Sequence, residues 1–126
     1  MVTLQCLALA IYFEARGEPL EGQIAVAEVI YNRVVDTRYP DDVCSVVYQR
    51  KQFSWTHDGK SDVPKNTLVW EEIKDLASQV MRGDLFDGHG ATHYHSVDVE
   101  PYWTDGLTYV GQYGNHIFYR WETKNG

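Results

Sequence analysis

The sequence has few cysteines, few positive charges and no long hydrophobic run. Two cysteines among 126 residues are too few for a disulfide framework, and their spacing does not fit a CxxC metal site. Eleven Lys and Arg residues against 18 Asp and Glu give a formal net charge of −7, which argues against nucleic acid as a partner. No apolar segment is long enough to span a membrane, so no membrane partner is expected.

The beginning of the chain also lacks the marks of a signal peptide. Residues 7–11 are apolar, but no Lys or Arg precedes them and the run is short. A chain without a signal peptide is expected to be made in the cytoplasm, where thiols stay reduced. We therefore predict that Cys6 and Cys44 are buried free thiols, with a disulfide between them as the alternative if the two segments meet.

What the sequence does contain is the composition of one globular domain. Hydrophobic residues make up 44% and charged residues 23%, and a chain of this length supports one core, so residues 1–126 are predicted to form a single domain. Apolar residues at helical spacing predict long helices over residues 2–15, 19–35 and 67–82, and a short helix within 40–48. Alternating patterns predict strands over residues 91–97, 108–112 and 117–121. Helices followed by a small antiparallel sheet define an α+β fold.

One stretch, residues 11–19 (IYFEARGEP), brings several chemically informative residues together. Glu14 and Glu18 lie four residues apart, and Gly17 and Pro19 predict a sharp corner between two helices. Two aromatic residues precede Glu14 at the buried end of the first helix, where a carboxyl group is expected to have a raised pKa and to act as a general acid. Ordinary helix-end charges explain the same pattern equally well at this point.

Three functions compete on these residues, and the first is cleavage of a glycosidic bond. This reaction needs a carboxylic acid that is still protonated near neutral pH. Glu14 is the candidate for the general acid and base, and Glu18 is the candidate for a second carboxylate. Glu18 also fits the first turn of the following helix, where the helix dipole favours negative charge.

The second candidate function is that of a metal-dependent hydrolase. On a strand, His93 and His95 point to the same face and fit two zinc ligands, and His89 and His116 are candidates for further ligands. No HExxH motif and no cysteine-rich segment supports this hypothesis.

The third candidate is a glycan-binding module without catalysis. Tyr and Trp rings stack on sugar faces as well as packing in cores, and 13% of the residues are aromatic. The rings that would form such a platform are Trp55, Tyr94, Tyr102 and Trp103. This hypothesis leaves the glutamate at the helix corner without a role.

Residues 11–34, which read IYFEARGEPLEGQIAVAEVIYNRV, resemble the signature of the cell-wall hydrolases related to the catalytic domain of the spore cortex-lytic enzyme SleB. The resemblance continues at residues 39–40, 46–47, 52–54, 91–95 and 117–118, so it covers nearly the whole chain. It implies a lysozyme-like, lytic-transglycosylase-type α+β fold. It also implies cleavage of peptidoglycan glycan strands between N-acetylmuramic acid and N-acetylglucosamine.

By the same resemblance, Glu14 corresponds to the family's catalytic acid. In a lytic transglycosylase one glutamate protonates the glycosidic oxygen and then deprotonates the muramic 6-hydroxyl, which closes on C1 to give a 1,6-anhydro product. Hydrolysis to a reducing end is the alternative outcome.

Glu18 and Gln23 are expected to shape the site by hydrogen bonding, and no metal or cofactor is expected. The residues expected to line the sugar groove are Phe53, Ser54, Tyr94, His95 and His116, with core packing as the alternative for Phe53 and Tyr94.

Other parts of the signature, and departures from it, carry further expectations. Asn32 and Arg33 are expected to brace the fold. Residues 91–96 read ATHYHS where spore enzymes have a Tyr-Tyr-Phe-Asn-like strand, so the spore branch's preference for muramic-δ-lactam is not carried over.

With no peptidoglycan-binding repeat and no signal peptide, the chain looks like a phage or prophage endolysin, or a piece of a larger enzyme. An endolysin would act as a monomer on the cell wall, in the periplasm or outside the cell, after release by a holin-like partner.

Overall fold

A computed structural model describes residues 2–49, 53–61, 63–85 and 88–121. Within these residues the helices are α1 (Thr3–Ala15), α2 (Leu20–Val35), α3 (Val43–Val47) and α4 (Thr67–Met81). The strands that follow are β1 (His93–Ser96), β2 (Leu107–Tyr113) and β3 (His116–Trp121), and short 3-10 turns cover Ser54–His57 and Tyr102–Gly106. The predicted α+β fold, with its helices before its sheet, is confirmed.

Helix α1 is the centre of the larger core. Every side chain from Cys6 to Tyr12 is buried, because a helix that is apolar on all sides must be enclosed by other elements. Helices α2, α3 and α4 pack around it. The Tyr12 hydroxyl accepts hydrogen bonds from the backbone N–H groups of Lys65 and Asn66, at 3.1 and 3.0 Å. These bonds tie the start of α4 to the half of α1 that leads to Glu14.

Cys6 and Cys44 form a disulfide, so the prediction of free thiols is wrong. The two residues are 38 positions apart in sequence, but α3 packs against the N-terminal half of α1 and brings their Cα atoms to 5.3 Å. That distance is normal for a disulfide. Sequence spacing alone carried no information about this contact, because it depends on how the helices pack.

The corner between α1 and α2 is held by backbone and side-chain hydrogen bonds. The Glu18 N–H donates to the Ala15 carbonyl at 2.9 Å. The Gln23 amide reaches back from α2 and donates to the carbonyls of Glu18 and Arg16, at 3.2 and 3.3 Å. These bonds satisfy carbonyl groups that the end of α1 leaves free.

The sheet has the order β1-β3-β2, with antiparallel neighbours. Tyr94 pairs with Phe118, and both side chains face the helices, where Phe118 is fully buried. Because side chains alternate along a strand, His93 and His95 face the opposite, outer side. No helix within the described ranges is both long and apolar enough to cross a membrane.

Candidate active site

Glu14 lies in the last turn of α1, where the helix meets the inner face of the sheet. The Tyr94 hydroxyl donates a hydrogen bond to Glu14 Oε1. Burial raises the pKa of Glu14, while this hydrogen bond and the positive charge of Arg33 lower it, with burial the largest of the three effects. The predicted raised pKa is therefore present at Glu14, whose side chain is partly buried.

Tyr94 is a suitable partner because it remains protonated. Burial and the nearby Glu14 carboxyl hold the pKa of Tyr94 well above its usual value, so its hydroxyl is a constant donor. The ring is fixed between Phe118 and His116, at centroid distances of 5.4 and 5.0 Å. Tyr94 therefore belongs to the site through its hydroxyl and to the core through its ring.

The aromatic residues near the C-terminal half of α1 are packed rather than open. Phe13 and Trp55 stack at 4.9 Å with an interplanar angle of 23°, and both Phe53 and Trp55 are buried. For Phe53 the structure favours the core-packing alternative. Ser54 begins a 3-10 turn, but its side chain lies outside the described residues, as does Gln52.

Glu18 anchors the β2–β3 hairpin to the helix corner. Its carboxylate accepts from the Asn115 backbone N–H at 2.6 Å and from the Asn115 side chain at 3.2 Å. His116 follows in the chain, and its Nδ1 is 3.8 Å from Glu18 Oε1. Burial lowers the pKa of His116, with the Glu18 charge opposing that shift. The structure thus groups Glu14, Glu18, Tyr94 and His116 around one corner, with Gln23 bracing it.

His95 is not part of this group. It lies on the outer face of the sheet, stacked on Tyr119 at 5.4 Å, with Nε2 3.0 Å from the Tyr119 hydroxyl. Trp103 packs on the same outer face, against His93 and His95. The resemblance placed His95 among the residues expected to line the groove, but on β1 it faces the side opposite Tyr94, because successive strand residues face opposite sides.

The four candidate metal ligands do not converge on one point. His93 and His95 lie on the outer face and His116 on the inner face, while His89 is buried with its Nε2 2.9 Å from Glu28 Oε2. Burial and the Arg33 charge lower the pKa of His93 to about 4. No group of three metal-ligating side chains with suitable placement occurs among the residues that the structure describes.

The proposed stacking platform is likewise divided between surfaces. Trp55 is buried, and the Tyr94 hydroxyl is occupied by Glu14. Trp103 packs on the outer face of the sheet, whereas Tyr102 is 90% exposed. The four rings therefore do not form one continuous sugar-binding surface.

The structural role of Glu28 was not predicted from the sequence. This side chain is fully buried, accepts from the Gly88 N–H at 2.8 Å, and lies beside His89. The pair holds the segment that leads into β1. The sequence contained a signal for this role, because a glutamate flanked by buried aliphatic residues on a helix needs a hydrogen-bond or ion-pair partner.

Asn32 and Arg33 hold the same segment from α2, as predicted. The Asn32 amide donates to the Ala91 carbonyl at 2.8 Å, and Arg33 Nε donates to the Thr92 carbonyl at 2.9 Å. Helix α2 therefore sets the position of β1, and with it the position of Tyr94 relative to Glu14.

Residues 17–119 match the family described as Cell Wall Hydrolase, and the chain belongs to this family. It is 35% identical over 119 residues to the spore cortex-lytic enzyme of Oceanobacillus iheyensis and 32% identical over 116 residues to that of Bacillus subtilis. Each alignment covers 91% of this chain but only 40% and 36% of the respective enzyme. The chain thus spans less than half the length of these relatives.

Two solved structures share this fold over nearly the whole length of the chain. The catalytic domain of the germination-specific lytic transglycosylase SleB from Bacillus anthracis superposes with a TM-score of 0.79 at 31% identity, covering 94% of this chain and 93% of that domain. The catalytic domain of the Bacillus cereus SleB protein gives 0.73 at 29% identity, covering 94% and 89%. The described fold is thus the fold of a SleB catalytic domain.

Proposed function

We propose that this protein cleaves the glycan strands of peptidoglycan between N-acetylmuramic acid and N-acetylglucosamine, with Glu14 as the single general acid and base. The observation that carries the proposal is the partly buried carboxyl of Glu14, which accepts a hydrogen bond from the Tyr94 hydroxyl and whose pKa is raised by burial. Membership of a cell wall hydrolase family and similarity to a lytic transglycosylase domain support the substrate class and the bond.

The first step is proton transfer to the leaving group. Because Glu14 Oε1 accepts from Tyr94, the proton of the neutral carboxyl belongs on Oε2. That proton moves to the glycosidic oxygen, the bond from this oxygen to C1 of the muramic residue breaks, and the N-acetylglucosamine hydroxyl leaves. An oxocarbenium-like sugar and the Glu14 carboxylate remain.

In the second step the same carboxylate acts as a base. It takes the proton of the muramic 6-hydroxyl while this oxygen bonds to C1, which gives a 1,6-anhydro end and restores neutral Glu14. One carboxylate suffices for both steps, which agrees with the hydrogen bonds that commit Glu18 to Asn115. Attack by water in place of the 6-hydroxyl would give hydrolysis to a reducing end.

The place of action that we propose is the cell wall. The Cys6–Cys44 disulfide supports this proposal, because disulfides persist outside the reducing cytoplasm. The wall is also where the proposed substrate is found.

The test compares Glu14→Gln with Glu18→Gln on purified sacculi. Glu14→Gln should fold, as judged by circular dichroism, and fail to clear sacculi, and retained clearing would refute the role of Glu14. Glu18→Gln should keep measurable activity, since its amide oxygen still accepts the hydrogen bond from the Asn115 backbone N–H. Mass spectrometry of the released muropeptides identifies the reaction: anhydro-muramic ends support the transglycosylase, reducing ends the hydrolase, and free peptides would contradict glycan cleavage.

A further inference from the structure

Arg16 belongs to the central motif of the chain but has no part in the two steps above. It caps the C-terminal end of α1, and its side chain is exposed. Its guanidinium carbon lies 4.7 Å from the centroid of the Tyr12 ring, within the range of a cation–π contact. Tyr12 is itself buried. Arg16 is therefore held against a fixed surface instead of extending freely into solvent.

Tyr12 also positions the backbone of a second cationic residue, Lys65. The Tyr12 hydroxyl accepts hydrogen bonds from the backbone N–H groups of Lys65 and Asn66, at 3.1 and 3.0 Å. These bonds fix the segment that enters α4, and the exposed Lys65 side chain extends from that segment. One buried tyrosine thus brings two cations from distant parts of the sequence to the same place.

Arg16 and Lys65 line a cleft of about 320 Å³ beside the C-terminal end of α1. Lys60 adds a third cation to this cleft, and Phe13 and Val63 supply apolar surface. A second, more open cleft continues past Arg16 and Lys65 to the start of α4. Neither cleft has a carboxylate among its described lining residues. We refer to the first as the cationic cleft.

This local excess of positive charge contrasts with the rest of the chain, whose formal net charge is −7. Three other cations, Arg38, Lys74 and Arg82, each pair with a carboxylate. Within the described parts of the chain, Arg16 and Lys65 form no such ion pair. Cations without a carboxylate partner are complementary to the anionic groups of a ligand.

The proposed substrate carries anionic groups close to the bond that is cleaved, because the muramic residue bears a stem peptide with free carboxylates. Glu14 and Arg16 both lie at the end of α1, Glu14 beside Tyr94 of the sheet and Arg16 towards the start of α4. A helix with its side chains is about 10–12 Å across. Since an extended peptide covers about 3.3–3.6 Å per residue, a stem peptide of about three or four residues is long enough to extend from a muramic residue at Glu14 round the end of the helix to Arg16.

We propose that Arg16 and Lys65 form a subsite for the carboxylates of the stem peptide, so that the protein prefers glycan strands whose muramic residues still carry peptides. This inference rests on the proposed function, which places a muramic residue at Glu14. A guanidinium binds a carboxylate through two parallel hydrogen bonds, and the lysine adds a second positive charge. A wall phosphate polymer offers similar charge, but when attached to the muramic 6-hydroxyl it would block the second step, which needs that hydroxyl free.

The experiment compares two soluble substrates that differ only in the stem peptide. One is a preparation of glycan strands with intact stems, and the other is the same strands after an amidase has removed the stems, both freed of wall phosphate polymers. Wild-type kcat/KM should be about tenfold higher on the stem-bearing strands, with the difference in KM rather than kcat. Added salt should reduce this preference, because exposed charges are screened. The double variant Arg16→Gln, Lys65→Gln should lose the preference.

The matched control is the double variant Lys74→Gln, Arg82→Gln, which removes the same amount of charge from α4 and its C-terminal end without touching the cationic cleft. It should keep the wild-type preference for stem-bearing strands. A loss of preference in this control as large as in Arg16→Gln, Lys65→Gln would overturn the proposal, because net charge alone would then explain the effect.

A third substrate tests the carboxylates without any change to the protein. Strands whose stem carboxylates have been converted to amides should be cleaved by the wild type as slowly as stem-free strands. The proposal is overturned if amidated stems serve as well as free carboxylates, or if the wild type does not distinguish stem-bearing from stem-free strands. A preference that appears only when wall phosphate polymers are left on the strands would also overturn it.

Failure of this subsite is distinguishable from failure of the proposed function. The affinity of Glu14→Gln for the two kinds of strand is measured without cleavage, and it should be about tenfold higher for stem-bearing strands. Equal affinities would overturn the subsite and leave the role of Glu14 untouched. Cleavage retained by Glu14→Gln would instead overturn the proposed function.

Discussion

The Tyr94 hydroxyl donates a hydrogen bond to the Glu14 carboxyl across 80 positions of sequence. One residue lies in the last turn of a buried helix and the other lies in the first strand of the sheet, so this bond joins the two halves of the fold at the proposed catalytic acid. A hydrogen bond to a carboxylate favours its ionised form. The bond therefore limits how far burial raises the pKa of Glu14 and also orients the carboxyl.

Tyr94→Phe should test this relationship directly. Loss of the hydroxyl removes an interaction that lowers the pKa of Glu14, so the pH at which activity falls should move upward. The plateau rate should fall about tenfold to a hundredfold, as for other lost orienting hydrogen bonds in active sites. Tyr119→Phe is the control, because it removes a hydroxyl that contacts His95 on the outer face. An equal shift in both variants would contradict the assigned role of Tyr94.

Glu14→Gln should stabilise the protein at high pH while abolishing activity. The folded-state pKa of Glu14 is raised above the ordinary value of 4.5, so the native state binds the proton more tightly than the unfolded chain. Its contribution to stability is fully present below the unfolded pKa and is lost as pH rises through the raised value. The melting temperature of Glu14→Gln should therefore exceed that of the wild type at pH 8 by more than at pH 4. A difference independent of pH would argue against a buried ionising carboxyl.

Gly114→Ala should disturb the hairpin that Glu18 holds. Gly114 has a φ of +60°, and an added Cβ would lie 2.5 Å from Glu18 Oε1. Gly83 has a φ of +81° but nothing within 4 Å of such an atom, so Gly83→Ala measures the backbone cost alone. We expect about 1 kcal/mol for Gly83→Ala and roughly 2–4 kcal/mol for Gly114→Ala in urea unfolding. Equal losses would mean that Glu18 moves freely away from the hairpin.

Reduction of the Cys6–Cys44 disulfide should lower stability without changing the chemistry of the site. For two cysteines 38 positions apart, the loss of loop-closure entropy predicts about 4 kcal/mol in the free energy of unfolding. Urea unfolding with and without a reducing agent measures the effect. The double variant Cys6→Ala, Cys44→Ala is the control, and its curve should not respond to the reducing agent. A wild-type curve that also fails to respond would contradict the disulfide.

The order of elements and the identity of the central motif were predictable because both depend on local patterns. Apolar residues at helical spacing marked α1 and α2, and the alternation after Ala91 marked β1. The motif around Glu14 pointed to an acid at a helix end because a corner and flanking aromatic residues are local features. Asn32 and Arg33 were correctly expected to brace the fold, although their partners, the carbonyls of Ala91 and Thr92, were not predictable.

The misplacements have a common cause, which is the direction in which a side chain points. His95 was expected at the groove together with Tyr94, yet the pleat of β1 places them on opposite faces. Phe53 was expected at the groove with core packing as the alternative, and its burial beside Arg33 favours core packing. The thiol prediction for Cys6 and Cys44 failed for a related reason, since pairing depends on distance in space.

The sequence by itself determined the α+β order, the helix corner and the glutamate that ends α1, since each follows from residue types at short spacing. Only the tertiary structure decided that Glu14 meets Tyr94, that Glu18 is committed to the hairpin, and that Arg33 holds the segment before β1. These relationships join segments that are distant in the chain. The packing of α1 and α2 against the sheet creates them, and no local pattern encodes the depth or direction of that packing.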